Sequence, residues 1–129
     1  MNTTYKKLIQ FRTAASAYIE EVENKSIIAE TIDDIITETN DLMADCDKRR
    51  NRLRRKFATK DPKTSVLLRV DGELQFTEDG ENDLEDAFEE LLNQEVHILA
   101  DLLPDEITES IPRKFKNAFK GFIITETTN

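Results

Sequence analysis

Ile28, Ile32, Ile35, Thr39, Leu42, Cys46, Arg49, Leu53 and Phe57 recur at spacings of 4-3-4-3-4-3-4-4. Positions three and four apart share a face in a helix, so this seam commits the chain to one helix, roughly 50 Å long to about Ala58 at ~1.5 Å per residue. Before it, Leu8, Phe11, Ala15, Tyr18 and Val22 follow 3-4-3-4 and predict a helix over about residues 3 to 23. Glu23-Asn24-Lys25 is a polar break, Ser26 suits an N-cap, and Glu30, Asp33 and Asp34 lie where the helix dipole favours acids. So short a break between matching stripes predicts an antiparallel helical hairpin. The first helix spans only ~30 Å, so the second overhangs it from Leu42 to Asp47 onward. Cys46, Leu53 and Phe57 are then expected to lack cover inside the hairpin, leaving the rest of the chain or a second subunit to cover them.

Beyond the seam, Pro62 disfavours helical geometry at Asp61 and ends the second helix. "VLLRV" and "ELQFT" flank Asp71-Gly72, a dipeptide that tolerates the positive φ of a two-residue hairpin turn. Thr77 suits an N-cap, with Glu78, Asp79 and Glu81 in the first turn of a third helix that carries Leu84, Phe88, Leu91 and Leu92 to about Gln94. Val96 and Ile98 alternate as in a strand, expected to pair with the hairpin. After a short turn near "DEITES", Pro112 opens a helix with Phe115, Ala118 and Phe119 on its apolar side. Gly121 fits its C-terminal cap and "FIIT" reads as a last strand. The expected class is α+β: a long antiparallel helical hairpin followed by a β-hairpin, a third helix and a small C-terminal αβ segment. One domain accommodates it, with the helical hairpin at 1–59, an αβ lobe at 60–124 and a tail at 125–129.

Charge is distributed in blocks. The chain carries -9 overall, yet "DKRRNRLRRKFATK", Asp47 to Lys60, holds eight Lys or Arg in fourteen positions. Residues 20 to 47 balance to -9, residues 48 to 69 to +9, and Val70 to Pro112 contain fifteen acids and no Lys or Arg. Such asymmetry concerns partners and self-docking more than fold. The expected contact surface is Arg49, Arg50, Arg52, Leu53, Arg54, Arg55, Lys56 and Phe57. Three readings apply to it. The bases complement the C-terminal end of the helix dipole or pair within the chain; they dock a protein, including a second copy; or they bind nucleic-acid phosphates. No helix-turn-helix, zinc-finger or RNP-type aromatic pattern accompanies the tract, so nothing here reads bases.

Catalytic signatures are lacking. His97 is the only His, which excludes a Ser-His-Asp relay from any other His and a His-based metal cluster in one subunit. Cys46 falls on the apolar seam and reads as a buried or interface thiol. Gly72, Gly80 and Gly121 form no phosphate loop, and "EDGENDLEDAFEE" lacks the ligand spacing of a calcium loop. No enzymatic activity, cofactor or metal is expected. The N-terminus has no signal-type apolar run, no window approaches the ~18 to 20 apolar residues of a membrane helix, and one Cys suits a reducing compartment. A cytoplasmic protein without membrane contact is expected.

"KFATKD", "DGELQFTEDG", "LEDAFEELLNQEVHI" and "LLP", in that order, resemble a class of small proteins encoded by tailed bacteriophages. The resemblance rests on Lys60-Asp61, Phe76-Thr77 and Glu89 to Ile98, and covers roughly residues 50 to 124; the first 45 residues share only a helical pattern. It implies a phage context, in the bacterial host cell or in the virion, and assigns no catalytic residue. The expected function is a non-enzymatic accessory protein acting through protein contacts, by self-association as a dimer or higher or by binding another protein. The alternative is a small nucleic-acid-binding protein using residues 48–60 on phosphates.

Overall fold

The computed structural model describes residues 1–21 and 26–126; Val22, the break Glu23-Asn24-Lys25 and the tail residues 127–129 lie outside the described residues. The chain is α+β, in the order β1 (Asn2–Thr4), α1 (Tyr5–Glu21), α2 (Ile27–Phe57), β2 (Arg69–Val70), β3 (Glu73–Leu74), α3 (Glu78–Leu92), β4 (Glu95–His97), α4 (Asp105–Thr108) and α5 (Arg113–Phe119). It divides into two compact units, Met1–Asp41 with Glu95–Asn129, and Leu42–Gln94. That boundary falls inside α2, whereas the sequence suggested a division at residue 59.

In the first unit, Thr4 Oγ1 accepts from the backbone N–H of Lys7 at 3.2 Å and caps α1. The expected stripe Leu8, Phe11, Ala15 and Tyr18 is buried. Arg12 fixes the antiparallel match to α2, donating to the Ile36 carbonyl at 2.9 Å, Thr39 Oγ1 at 2.8 Å and Asn40 Oδ1 at 3.1 Å. Burial lowers the guanidinium's affinity for its proton, and these acceptors compensate part of its lost hydration. An aromatic cluster is the unit's other support. Phe11 stacks on Phe122 at 4.5 Å and meets Phe119 edge-on at 5.5 Å, while Tyr18 meets Phe115 edge-on at 5.4 Å. These spacings and tilts are those aromatic pairs favour.

Two expectations are corrected here. The strand at Val96 does not extend the hairpin. It pairs antiparallel with β1 in the register Asn2↔His97, Thr3↔Val96 and Thr4↔Glu95, and the Met1 ammonium donates to the Ile98 carbonyl at 2.6 Å. Thr3 and Thr4 are therefore extended where helix was expected. Val96 and Ile98 are buried and His97 is exposed, which keeps the expected alternation. "FIIT" is not a strand either. The backbone N–H groups of Phe122, Ile123 and Ile124 all turn back to the Phe119 carbonyl, around Gly121 at φ +84°. Spent on that turn, they cannot feed a ladder, although Phe122 and Ile123 are buried.

The second unit holds the later part of α2, the hairpin and α3. Asp71 at φ 51° and Gly72 at φ 82° make the expected two-residue turn, with Arg69↔Leu74 and Val70↔Glu73 in register. Regular pairing is shorter than "VLLRV" and "ELQFT" suggested, because Thr59 also enters: it donates to the Gln75 carbonyl and accepts from the Leu68 N–H. Thr77 Oγ1 accepts from the Gly80 N–H at 3.0 Å, the expected cap of α3.

Two substitutions test the first unit. Phe119, fully buried, is expected to cost about 3 to 5 kcal/mol when changed to Ala. Arg12→Leu, which removes its part-buried bonds to the Ile36 carbonyl and the Thr39 hydroxyl, is expected to cost about 1 to 3 kcal/mol. Urea denaturation followed by circular dichroism measures both.

Candidate functional site

The basic tract occupies the last turns of α2, and its residues are used differently. Taking ~100° per residue, Arg50, Leu53, Arg54 and Phe57 lie on one side, Lys48 and Arg55 lie opposite, and Arg52 falls at the edge between them, next to Lys56. On the first side stands α3. The Arg50 and Arg54 guanidinium carbons lie 5.4 and 5.7 Å from the centroid of the Phe88 ring, one helical turn apart. Each such contact contributes about 0.5 to 1 kcal/mol where solvent has access. Arg49 forms an ion pair with Asp45 at 3.0 Å and donates to Gln94 Oε1 at 2.7 Å. The Lys56 ammonium lies 5.2 Å from the Phe57 ring. Arg52 and Arg55 are exposed and make no hydrogen bond or ion pair among the described residues.

Seam positions left open by the hairpin thus have a neighbour in their own chain. Leu53 and Phe57 are half-buried and Cys46 is fully buried. Of the two expected sources of cover, the rest of the chain supplies it for Leu53 and Phe57, since α3 closes on α2 within the unit Leu42–Gln94. The approach is close: a Cβ on Gly80 would stand 2.8 Å from the Phe57 carbonyl oxygen.

Closure is incomplete. A groove of about 390 Å³ remains, with a floor of Leu53, Phe57, Ala87 and Leu91 and a rim of Arg49, Arg52, Lys56, Glu90 and Gln94. All eight residues of the expected contact surface belong to this end of α2. Arg49, Arg52, Leu53, Lys56 and Phe57 line the groove, Arg50 and Arg54 are engaged with Phe88, and Arg55 points elsewhere. Pairing of the bases within the chain was one of the readings, but Ala87, Glu90 and Gln94 of the opposite wall are not singled out by the sequence. That wall's stripe of Leu84, Phe88 and Leu91 was legible, but periodicity names a helix face without naming what it meets.

Electrostatically the groove is one-sided. None of the α3 carboxylates comes within 4 Å of a tract base among the described residues, so α3 docks through Phe88 and the Gln94 amide rather than through ion pairs. On the rim, Arg49 is paired with Asp45 and Glu90 adds a carboxylate, while Arg52 and Lys56 keep their charge unpaired among the described residues. Burial pushes the Cys46 thiol up, which makes it a poor nucleophile; Arg50 opposes this shift, while Asp47 and Asp45 add to it. Because folding favours the neutral thiol, its contribution to stability is present below the unfolded thiol's pKa and is lost as pH rises through the folded one.

Among the described residues no group of three or more His, Cys, Asp or Glu could hold a metal ion, and no helix is long and apolar enough to cross a membrane. No protein-family model, curated protein or solved structure matches this chain.

Gly80→Ala gains at most about 1 kcal/mol of helix propensity against overpacking of about 1 to 3 kcal/mol, so net destabilisation is expected in a urea titration. Cys46 in the native protein is expected to react with a disulfide reagent at least about tenfold slower than in urea, checked by absorbance kinetics.

Proposed function

We propose that this is a non-enzymatic accessory protein of tailed-phage type that works by binding protein, with the α2–α3 groove as its contact surface. The carrying observation is an apolar floor beside Arg52 and Lys56, neither of which has an anionic partner among the described residues. A complementary partner presents an aliphatic or aromatic side chain flanked by carboxylates: the apolar group fills the groove and the acids meet the rim. Apolar burial supplies the larger share of such binding, and the charges supply orientation and rate. The phage context rests on the resemblance over residues 50 to 124, and with it a location in the host cytoplasm or the virion.

The groove is testable without a known partner. Anilinonaphthalene sulfonate, an apolar dye carrying one sulfonate, matches its chemistry. In dilute protein, ~1 µM, where weak self-association leaves the groove free, dye fluorescence is expected to rise with the wild-type protein and to fall at least about fivefold with Arg52→Glu combined with Lys56→Glu, while Arg55→Glu, on the far side of α2, leaves it unchanged. An equal signal from all three proteins removes the groove reading.

One observation favours a second reading. Lys48 and Arg55 are exposed on the side of α2 turned away from α3, with Arg52 beside them at the rim of the groove, a strip that could follow a phosphate backbone. With about three phosphates contacted, the logarithm of affinity should fall with that of salt at a slope of about -2 to -3. Gel shifts with duplex and single-stranded oligonucleotides at ~50 mM salt decide it, and no shift there ends this reading.

A further inference from the structure

We infer that the partner taken by the groove is the β-hairpin tip of a second copy of this chain. The inference rests on the groove reading above and adds the identity of the occupant. Val66, Leu68 and Val70 alternate along one side of the segment leading into the turn and are 62%, 41% and 58% exposed. Directly after Val70 come Asp71 and Glu73, both exposed, across the Asp71-Gly72 turn. Arg69, the one base at the tip, folds onto the turn and donates to the Gly72 carbonyl at 3.1 Å. The tip therefore presents aliphatic side chains beside two carboxylates. The groove offers an apolar floor beside Arg52 and Lys56. Each surface supplies what the other lacks.

Because the tip is exposed, it does not occupy its own groove. Both surfaces belong to the compact unit Leu42–Gln94, so two copies related by a two-fold axis exchange tips reciprocally, tip to groove and groove to tip. Reciprocal exchange closes a dimer, whereas a one-way contact of tip with groove would propagate as an open chain. It also covers the aliphatic row that the monomer leaves in water.

The test uses three forms of the full chain: wild type, a groove variant (Arg52→Glu with Lys56→Glu) and a tip variant (Asp71→Asn with Glu73→Lys). Asn keeps the positive φ of position 71 accessible, and every changed side chain is exposed, so circular dichroism should be unaltered. Light scattering at ~50 mM salt and protein up to ~500 µM is expected to give twice the monomer mass for wild type and the monomer mass for each variant alone. An equimolar mixture of the two variants is expected to regain the dimer mass, because the reversed groove meets the reversed tip while the unchanged groove meets the unchanged tip. A wild-type monomer at the highest concentration overturns the inference. So does a dimer indifferent to either variant, and so does a mixture that stays monomeric. The dye titration separates this failure from that of the groove itself: dye binding lost in the groove variant, with a monomeric wild type, leaves the groove standing and removes only the second copy as its occupant.

Discussion

A 31-residue helix paired with a 17-residue one leaves nearly half of its apolar seam to be satisfied elsewhere. That mismatch governs the architecture. The early part of α2 meets α1 through the Arg12 contacts, and the late part meets α3, so a single helix serves two separately packed sets of residues. Burial of the seam thus follows two rules. Ile28, Ile32 and Ile35 are fully enclosed, whereas Leu53 and Phe57 face a wall that does not close.

Why α3 leaves a gap follows from how it is held. Gly80 brings its first turn against the Phe57 carbonyl, and Phe88 lies beneath two guanidiniums. Arginine stems are long, and their planar heads keep the helices apart while covering apolar surface. Closure by direct ion pairs between the +9 and acidic blocks would have neutralised the rim. Contacts to an aromatic face hold α3 in place and leave Arg52 and Lys56 without an anionic partner among the described residues.

Local chemistry made much of this chain legible. Asp71-Gly72, the Thr77 cap, Pro112 before α5 and Gly121 after it all sit where their backbone preferences place them. Pairings set by distant residues were not legible. Asn2-Thr3-Thr4 has no apolar alternation, and its strand exists because β4 supplies the other edge. "FIIT" has strand composition, yet the carbonyl of Phe119 captures its N–H groups first. The groove was half legible: seven bases and two apolar residues on α2 drew attention by density, while Ala87, Glu90 and Gln94 look like any helix surface until the facing element is known.

The division of the chain also bears on how it folds. Leu42–Gln94 is contiguous, so its contacts close short loops, whereas the other unit joins residues 1–41 to 95–129 across the whole intervening segment. Loop-closure entropy rises with that separation, and contact order slows the pairings that span it. The inserted unit acquires its native contacts without waiting for the chain ends, and as it compacts it shortens the path between them. On this ordering the β1–β4 ladder is among the last structures to form, and its formation signals that the two halves of the sequence have met.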